Sequence, residues 1–320
     1  MIDMDLLYRV AFDYYINKKL QREIANELNV SRVQVSKYLS KAEELGIVRI
    51  EVVRPKVDSS SLQDLKARMV DRFDIKDVLI SPSYGNLKSV QDTLHSIAQE
   101  YIFSVFNATP MNVGLGWGST IYNFATSQMN ESRAAWRILP LTGGSTLISS
   151  KYFNINHIAH TFAEKVGASA QLVYLPLMVD PSNEELMRES DDYKRMSAMW
   201  SNLDLIICSV GYSIPRSPLF QQGLIGEEYI EKLQSRNVVG DILTHYFDED
   251  GVMINLGVEK SMINITVEQI ASAKTKLIIA YGKDKIKSIL GGMRSGLIDV
   301  LVTDADTAES VLRLSESQGG

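Results

Sequence analysis

The chain has 320 residues, of which 45% are hydrophobic and 22% charged, and its formal net charge is −6. This length is enough for two or three domains with at least one large core, and the composition is that of a soluble globular protein. A single cysteine, Cys208, excludes an intrachain disulfide framework. No window is apolar enough for a membrane span, and the N-terminus lacks the basic segment of a signal peptide. We therefore expect a cytoplasmic protein that contacts no membrane.

Charge is distributed unevenly along this acidic chain. Residues 16–42 contain six basic and two acidic side chains, a net charge of +4, which leaves −10 for the remainder. The most basic part is the segment SRVQVSKYLSKAEEL (residues 31–45), whose polar face carries no carboxylate before Glu43. A small basic patch on an acidic body is typical of a protein that binds a polyanion.

The first 54 residues have the pattern of three short helices followed by a strand. Apolar residues recur at helical spacing in each predicted helix, namely Leu7, Val10, Ala11 and Tyr14, then Ile24, Ala25 and Leu28, then Val35, Leu39, Ala42 and Leu45. Ser31 and Gln34 have the spacing of a capping box, and Gly46 follows the third helix. The segment IVRIEVV (residues 47–53) alternates as a strand does. This order predicts a winged helix-turn-helix domain over residues 1–54.

The third helix of this domain is the predicted recognition helix. Side chains near the start of such a helix contact base edges, while neighbouring groups hold phosphates. The residues placed for DNA contact are Gln21, Arg32, Gln34, Ser36, Lys37 and Lys41. A solvated basic face is the alternative interpretation, because basic faces are common on helices. The combination of helices, turn, cap and strand favours DNA binding.

A family resemblance appears at this point. The segment LQREIANELNVSRVQVSKYLSKAEELGIVRI (residues 20–50) resembles the DNA-binding segment of the SorC/DeoR-type sugar-responsive bacterial transcription regulators. Leu20 stands where the family's segment has Thr, and Lys37-Tyr38 stands where that segment has Arg-Leu. Both changes are mild. Because helix-turn-helix motifs alone occur in many unrelated regulators, it matters that the resemblance continues through the whole chain.

The second part of the chain has the pattern of an α/β domain. A proline and three serines predict a linker at residues 55–61, followed by an effector and oligomerisation domain at residues 62–320 that begins with the helix LQDLKARMVDRF. The predicted strands are DVLISPS, NVGLGWG, RILPLTG, QLVYLPLMV, LDLIICSVGY, TKLIIAYG and DVLVTD. Apolar strands that alternate with helices predict a doubly wound, mostly parallel sheet. Such sheets bind ligands beyond the carboxyl ends of their strands.

Several of these strand ends have residues suited to a polar ligand. Glycine-rich turns lead towards helices at Gly118-Ser119-Thr120 and again at Gly143-Gly144, and such turns bring backbone N–H groups close to an anion. Lys283 and Lys285 follow another strand at a helix start, where lysine is unusual because that position favours acids. Either lysine is equally well explained as a solvated side chain. Asp248 precedes an Asp-Gly turn, where it either accepts sugar hydroxyls or caps the turn.

Five successive segments resemble the sugar-binding domain of the SorC-type regulators: GWGSTIYNFA, LPLTGGS, VGDILTHYFDEDG, GKDKIKSI and DVLVTDADTAESVL. That domain is similar in fold to sugar-phosphate isomerases and glucosamine-phosphate deaminases. The resemblance implies a phosphate cradle at Gly118, Ser119, Thr120, Gly143 and Gly144, a hydroxyl-binding Asp248 and a ligand-binding Lys285. The chain departs from the family at Tyr281-Gly282, where Gly-Gly is usual. It also has Thr142 where deoxyribonucleoside-type members carry a Schiff-base lysine, so a hexose- or polyol-type effector is favoured.

An enzyme related to sugar-phosphate isomerases or deaminases, with a DNA-binding appendage, is the alternative function. His157 and His160 lie three residues apart on a predicted helix, but nearby residues do not complete a metal site, and Cys208 lies within an apolar strand. A DNA-binding domain has no role in a metabolic enzyme. We therefore expect no catalytic residues, no metal and no cofactor.

The sequence thus predicts a repressor of a carbohydrate-utilisation operon, although it does not separate repressor from activator. The expected partners are double-stranded operator DNA, a sugar or sugar-phosphate effector and further copies of the chain, as a dimer or tetramer. The sequence does not reveal the operator or the sugar.

Overall fold

The computed structural model describes residues 3–48, 59–83, 87–106, 110–129, 131–145, 150–211, 218–221, 223 and 225–318. The chain divides into two compact units, Met1–Val57 and Asp58–Gly320. Almost all of the strand predicted at 47–53 lies outside the described residues, and so do residues 55–58 of the predicted linker.

The smaller unit contains three helices, α1 (Met4–Tyr15), α2 (Gln21–Glu27) and α3 (Arg32–Glu44). Its core is formed by the residues that the helical spacing selected, which are Leu7, Val10, Ala11, Ile24, Ala25, Val35, Leu39 and Ala42. Asn29 turns the chain between α2 and α3 with a positive φ of 51°, a conformation that asparagine tolerates. The Ser31 hydroxyl then accepts a hydrogen bond from the Gln34 N–H at 3.1 Å, which caps α3. Helices α2 and α3 therefore form a helix-turn-helix.

The larger unit begins earlier than the linker prediction allows. Helix α4 spans Ser59–Phe73, so the last three residues of the predicted linker are helical. The sequence SSSLQDLKARMVDRF continues one amphipathic pattern with Leu65 and Met69 buried, and serine is common at helix starts. The prediction that residues 59–61 belong to a linker was wrong for this reason.

A parallel sheet of seven strands lies at the centre of the larger unit. Its strand order is β1-β10-β9-β5-β2-β3-β4, and every neighbouring pair is parallel. The strands are β1 (Asp77–Ser81), β2 (Met111–Leu115), β3 (Trp136–Pro140), β4 (Ser169–Ala170), β5 (Leu205–Cys208), β9 (Thr275–Ile279) and β10 (Val300–Asp304). Alternate residues of one strand join different apolar clusters: Ile206 and Cys208 belong to one, and Leu205 and Ile207 to the other. The sheet is therefore covered on both faces, as its continuous apolar strands require.

The helices of this unit are α4, already described, and α5 (Leu87–Val105), α6 (Ser119–Thr126), α7 (Ile155–Val166), α8 (Glu184–Glu189), α9 (Asp191–Trp200), α10 (Pro218–Gln221), α11 (Glu227–Ser235), α12 (Val267–Ser272), α13 (Ile286–Arg294) and α14 (Ala305–Ser317). Short 3₁₀ segments lie at Lys151–Phe153, Pro181–Asn183, Val258–Ser261 and Lys283–Lys285. Within the described residues, none of the helices is both long enough and apolar enough to cross a bilayer.

Two features of the sheet differ from the prediction. The segment QLVYLPLMV is not a strand, because after the two-residue β4 it makes only isolated bridges, such as Gly144 with Pro176. A small antiparallel sheet was also missed, formed by β6 (Gly240–Ile242), β7 (His245–Phe247) and β8 (Met253–Ile254). Strands this short carry too few residues for an alternating pattern to be recognised.

The strand order has a functional consequence. Strands β3 and β4 lie on one side of β2, whereas β5 and β9 follow on its other side. The chain therefore changes direction between β2 and β5, and the loops that follow these strands diverge there. Crevices of this kind at the carboxyl ends of parallel strands are where open α/β sheets bind ligands.

Candidate functional site

The predicted DNA-contacting residues lie on the surface of the smaller unit. Arg32, Ser36 and Lys37 are exposed on α3, and Gln34 and Gln21 are half-buried. Helix α3 has no acidic residue in its first turn, so that turn presents donors without a competing carboxylate. This arrangement fits side chains that contact base edges and phosphates.

Lys41 is the exception among these residues, because it already has a partner. Its ammonium forms an ion pair with Glu44 at 2.6 Å, one turn further along α3. Exposed pairs of this kind contribute little to stability, so a phosphate can replace Glu44 at small cost.

The second candidate site is a cavity of about 370 Å³ in the larger unit. It is lined by the loop after β2, the loop after β5, the β6–β7 turn and the lysine that follows β9. The predicted residues Gly118, Ser119, Thr120 and Lys285 all line it. This is the crevice at which the strand order reverses.

The loop after β2 supplies one side of the cavity. Gly118 has φ of 106° and ψ of 165°, a conformation that favours glycine, and it stands at the N-cap of α6 without any capping side chain. The Gly118 N–H donates to the Tyr152 carbonyl at 2.7 Å, whereas Ser119 and Thr120, in the first turn of α6, line the cavity. The first N–H groups of a helix and the positive end of its dipole favour an anion at this position.

Lys285 supplies a nearly buried cation, with only 5% of its surface exposed. Its ammonium donates to the Ser209 hydroxyl at 2.9 Å and to the Val210 carbonyl at 3.0 Å, and both residues belong to the loop after β5. Burial lowers the pKa of Lys285 to about 8, against the opposing effect of the Asp241 charge. At neutral pH the group is charged and lines the cavity.

Asp241 lines the same cavity as Lys285. Its carboxylate accepts a hydrogen bond from the Thr244 N–H at 2.9 Å. Burial raises the pKa of Asp241 to about 6, although the Thr244 N–H and the charge of Lys285 both act to lower it. A carboxylate here is an acceptor for hydroxyl groups, and the neighbouring ammonium is a donor for a phosphate or carboxylate.

The position of Asp241 depends on Gly211. The Gly211 N–H donates to the Asp241 carbonyl at 2.8 Å, and a Cβ on Gly211 would overlap with the Asp241 carboxylate. A Cβ on Gly116 would likewise meet Cys208 and Leu243. These two glycines let three separate loops approach closely enough to form the cavity floor.

The other walls of the cavity are aromatic and apolar. Trp117 and Phe153 meet edge to face with 5.7 Å between ring centroids, and Tyr152 and Tyr246 also line the cavity. The Lys151 ammonium lies 5.4 Å from the Tyr152 ring centroid. Aromatic faces pack well against the apolar faces of sugar rings, while their polar edges donate and accept hydrogen bonds.

Three of the predicted ligand residues lie elsewhere. The Gly143 N–H donates to the Ile263 carbonyl at 2.6 Å and the Gly144 N–H to the Leu175 carbonyl at 2.9 Å, so neither group is available to cradle a phosphate. Asp248 accepts hydrogen bonds from the Asp250 and Val252 N–H groups and so caps its own turn. None of these residues lines the cavity that holds Lys285.

Sequence reasoning missed Asp241, Ser209 and the aromatic wall. Asp241 lies in the same segment, VGDILTHYFDEDG, from which Asp248 was chosen. The Asp-Gly turn drew attention to a carboxylate that lies outside the cavity, whereas the preceding Gly240-Asp241 pair contains the carboxylate that lines it. Ser209 and Gly211 lie inside the predicted strand LDLIICSVGY, whereas the observed strand β5 ends at Cys208 and both residues follow it. The strand was predicted too long, so the strand-end rule did not select them.

The histidines considered for an enzyme do not form a site. His157 and His160 are exposed on α7, and the His160 ring lies 3.4 Å from the Glu164 carboxylate. Cys208 lines the cavity, but burial raises the pKa of its thiol well above the ordinary value, which makes it a poor nucleophile. No group of three or more potential metal ligands occurs within the described residues.

Comparison with known proteins identifies the family. The Sugar-bind family model, which describes a sugar-binding domain, matches residues 57–313. The chain belongs to the Sugar-bind family. The sorbitol operon regulator of Klebsiella pneumoniae is 25% identical over 315 residues, which cover 97% of this chain and 98% of that protein. The crystal structure of that full-length regulator, SorC, superposes with a TM-score of 0.75 and covers 98% and 99% of the two chains.

A second relative is the deoxyribonucleoside regulator of Bacillus subtilis (strain 168). It is 25% identical over 302 residues, which cover 93% of this chain and 94% of that protein. Both matches are longer than the larger unit, so they extend into the smaller unit. The chain is therefore a transcriptional regulator of the SorC/DeoR type, and the predictions of this family, of an α/β fold and of a regulator in place of an enzyme are confirmed.

The first prediction concerns the recognition helix. Replacing both Arg32 and Gln34 with Ala removes two expected base contacts, each with a contribution of about 1–3 kcal/mol to discrimination. We expect the double variant to lose its preference for operator over random DNA, as measured by fluorescence anisotropy at fixed salt concentration. Arg195→Ala is the control, because Arg195 is an exposed, ion-paired arginine of the larger unit. Normal operator preference in the double variant would refute the assignment of α3.

The second prediction concerns Gly211. Gly211→Ala pushes the Asp241 carboxylate from its position, so ligand affinity should fall at least about tenfold, as one lost charged hydrogen bond implies. Gly144→Ala is the matched control, because a Cβ on Gly144 meets nothing within 4 Å. Isothermal titration calorimetry measures both variants, and circular dichroism confirms that they are folded. A larger loss of affinity in Gly144→Ala than in Gly211→Ala would indicate that the ligand binds at the Gly143-Gly144 turn instead.

Proposed function

We propose that this chain represses a carbohydrate-utilisation operon in the cytoplasm as a homo-oligomer, and that a phosphorylated sugar or polyol controls it. Helix α3 of each subunit occupies one half-site of a palindromic operator, because two-fold symmetric proteins match two-fold symmetric DNA. The effector occupies the cavity formed by the loops after β2, β5 and β9.

The observation that carries the effector proposal is that Lys285 and Asp241 line one cavity with the N-terminus of α6. The ammonium and the helix N-terminus favour an anionic group. The carboxylate accepts hydroxyl hydrogen bonds but repels a phosphate. A molecule with a phosphate at one end and hydroxyls at the other satisfies both, whereas inorganic phosphate does not.

The walls of the cavity support a sugar or polyol over a nucleotide. A volume of about 370 Å³ is at the small end of ligand sites and suits a compact molecule. The names of two relatives mention sorbitol and deoxyribonucleosides. Hexitols, hexoses, deoxyribose and their phosphates are therefore the effectors to test first.

Effector and operator binding are coupled in this proposal. The effector stabilises a subunit arrangement in which the two α3 helices no longer match the half-site spacing. Because coupling free energies are reciprocal, operator DNA must weaken effector binding by the same factor as effector weakens operator binding. In an activator, effector and operator DNA would each strengthen the binding of the other.

The direct test is a thermal-shift screen of the full chain against these sugars, polyols and their phosphates, with and without operator DNA. We expect a phosphorylated compound to raise the melting temperature, and the Asp241→Asn variant to discriminate less among its stereoisomers. Asp248→Asn is the matched control, since Asp248 caps its own turn. A response to free sugars alone would replace the phosphorylated effector with an unphosphorylated one, and no response to any of them would refute the effector class.

The affinity for the phosphorylated effector should depend on pH through Lys285. The free protein loses the ammonium charge around pH 8, whereas a bound phosphate keeps it protonated to higher pH. Affinity should therefore fall by about tenfold to thirtyfold between pH 7 and 9.5, a range in which the phosphate charge is nearly constant. Calorimetry at several pH values measures the effect.

Two variants isolate this effect. Lys285→Met should bind weakly at all these pH values, with no further fall, while Lys283→Met should behave as the unmodified chain. Lys283 is exposed at the same strand end and does not line the cavity. An unchanged pH dependence in Lys285→Met would assign the titration to another group.

A further inference from the structure

The turn between β6 and β7 holds two consecutive residues in an unfavourable backbone conformation. Leu243 and Thr244 are the two loop residues inside the Ile242–His245 pair, and their φ angles are 53° and 69°. Two-residue turns with positive φ at both positions favour Asn-Gly, because bulky and β-branched side chains meet the backbone in this conformation. The two residues are only 3% and 2% exposed. Contacts inside the protein must therefore hold the turn.

The location of this turn explains why the strain is retained. Leu243 and Thr244 both line the candidate effector cavity. An Asn-Gly turn would be less strained, but it would replace the two side chains that line this wall. Unfavourable backbone conformations that persist in a folded protein concentrate at binding sites, where the surrounding structure determines them. The strained turn is therefore best understood as part of the cavity.

Asn264 holds the turn from behind the cavity. Its side-chain NH2 group donates to the Leu243 carbonyl at 3.1 Å and to the Thr244 hydroxyl at 2.8 Å. The Thr244 hydroxyl donates in turn to the Leu243 carbonyl at 2.5 Å, which closes the arrangement. Asn264 is 4% exposed, and its backbone forms a bridge with Thr142, which follows β3. Asn264 does not itself line the cavity, so it can act on a ligand there only through the turn.

The turn also fixes the carboxylate of Asp241, which accepts a hydrogen bond from the Thr244 N–H at 2.9 Å. The direction of that N–H follows the backbone angles of the turn, so a turn that relaxes to negative φ directs it away from Asp241. We propose that Asn264 is a positioning residue for the effector: it keeps the strained turn in place, and the turn keeps the Asp241 carboxylate where it meets hydroxyl groups. This inference rests on the proposal that the effector binds in this cavity.

Loss of the turn geometry would also change the chemistry of the carboxyl group. Burial raises the pKa of Asp241 to about 6, and the Thr244 N–H opposes this effect, as does the charge of Lys285. Without the hydrogen bond from Thr244, Asp241 is protonated over a wider pH range and accepts fewer hydrogen bonds. Asn264 therefore affects both the position and the charge of a group that it does not touch.

The first test needs no ligand, because Cys208 reports on the turn. The Cys208 and Leu243 side chains each have an atom within 3.1 Å of the position that a Cβ on Gly116 would occupy, so Leu243 lies next to the thiol. Cys208 is the one cysteine of the chain, and it is buried. When the turn relaxes, Leu243 moves and the thiol becomes accessible. Labelling of the full chain with N-ethylmaleimide, followed by mass spectrometry, measures this access.

We expect Asn264→Ala to raise the labelling rate at least about tenfold, because the loss of two hydrogen bonds favours local opening. In a Thr244→Gly background, where the second position of the turn is no longer strained, the same change should raise the rate far less. Asn156→Ala is the matched control, because the Asn156 amide also pairs with backbone, at Val173, and does not line the cavity. Circular dichroism confirms that each variant is folded.

Two results of the labelling experiment would overturn the role of Asn264. One is an unchanged rate in Asn264→Ala, and the other is an equal rise in both backgrounds, which a residue of general structural importance would give. Asn264→Leu, which keeps more of the side-chain volume and removes the donor, takes the place of Asn264→Ala if that variant does not fold.

The second test asks whether the turn positions the effector. Isothermal titration calorimetry of the full chain uses a hexitol phosphate, sorbitol 6-phosphate, as the probe. Asn264→Ala and Asp241→Asn should each lower the affinity at least about tenfold, and the double variant should lose little more, because both changes remove the same contact. Additive losses would refute the connection between Asn264 and Asp241. If the unmodified chain does not bind this probe, the polyol-phosphate proposal fails, whereas the labelling experiment still decides whether Asn264 holds the turn.

Discussion

The candidate site of the larger unit is arranged around one buried cation, Lys285, at the carboxyl ends of the strands. Burial lowers the pKa of Lys285 to about 8. The hydrogen bonds from its ammonium to the Ser209 hydroxyl and the Val210 carbonyl offset part of the free-energy cost of burying the charge. Breaking such an arrangement leaves an unpaired charge, so these groups constrain each other's positions. An anion that enters the cavity relieves the remaining cost of burial, which gives the protein a physical reason to respond to such a ligand.

The strand order is what brings these groups together. Asp241, Lys285 and the N-terminus of α6 are far apart in the chain, and each follows or docks against a different strand of the sheet. The Val210–Ile242 bridge attaches the small antiparallel sheet to the loop after β5 and thereby carries Asp241 to the cavity. The binding of a ligand that contacts all three groups therefore depends on the relative positions of the three loops that carry them. Small shifts of these loops can be transmitted to the helices behind them.

Much of this organisation could be predicted from the sequence. The helical spacing selected the core of the smaller unit, and six of the seven predicted strands correspond to strands of the sheet, because continuous apolar runs between helices are a strong signal. The strand-end rule selected Gly118 and Lys285, and both residues line one cavity. It failed at Gly143-Gly144, where the backbone N–H groups are consumed by long-range hydrogen bonds to Ile263 and Leu175 that no local pattern reveals. It failed at Asp248 because an Asp-Gly turn looks the same whether its carboxylate binds a ligand or only its own turn.

The close approach of backbone at Gly116 and Gly211 limits how this site can change during evolution. Any side chain at either position would collide with Cys208 or Asp241, so the polar floor of the cavity tolerates little substitution. Trp117, Phe153 and Leu219 line the same cavity, and at these positions a side chain is already accommodated. If the proposed effector site is correct, new effector preferences are expected to arise by exchange of these wall residues, one at a time, while the polar floor is inherited unchanged.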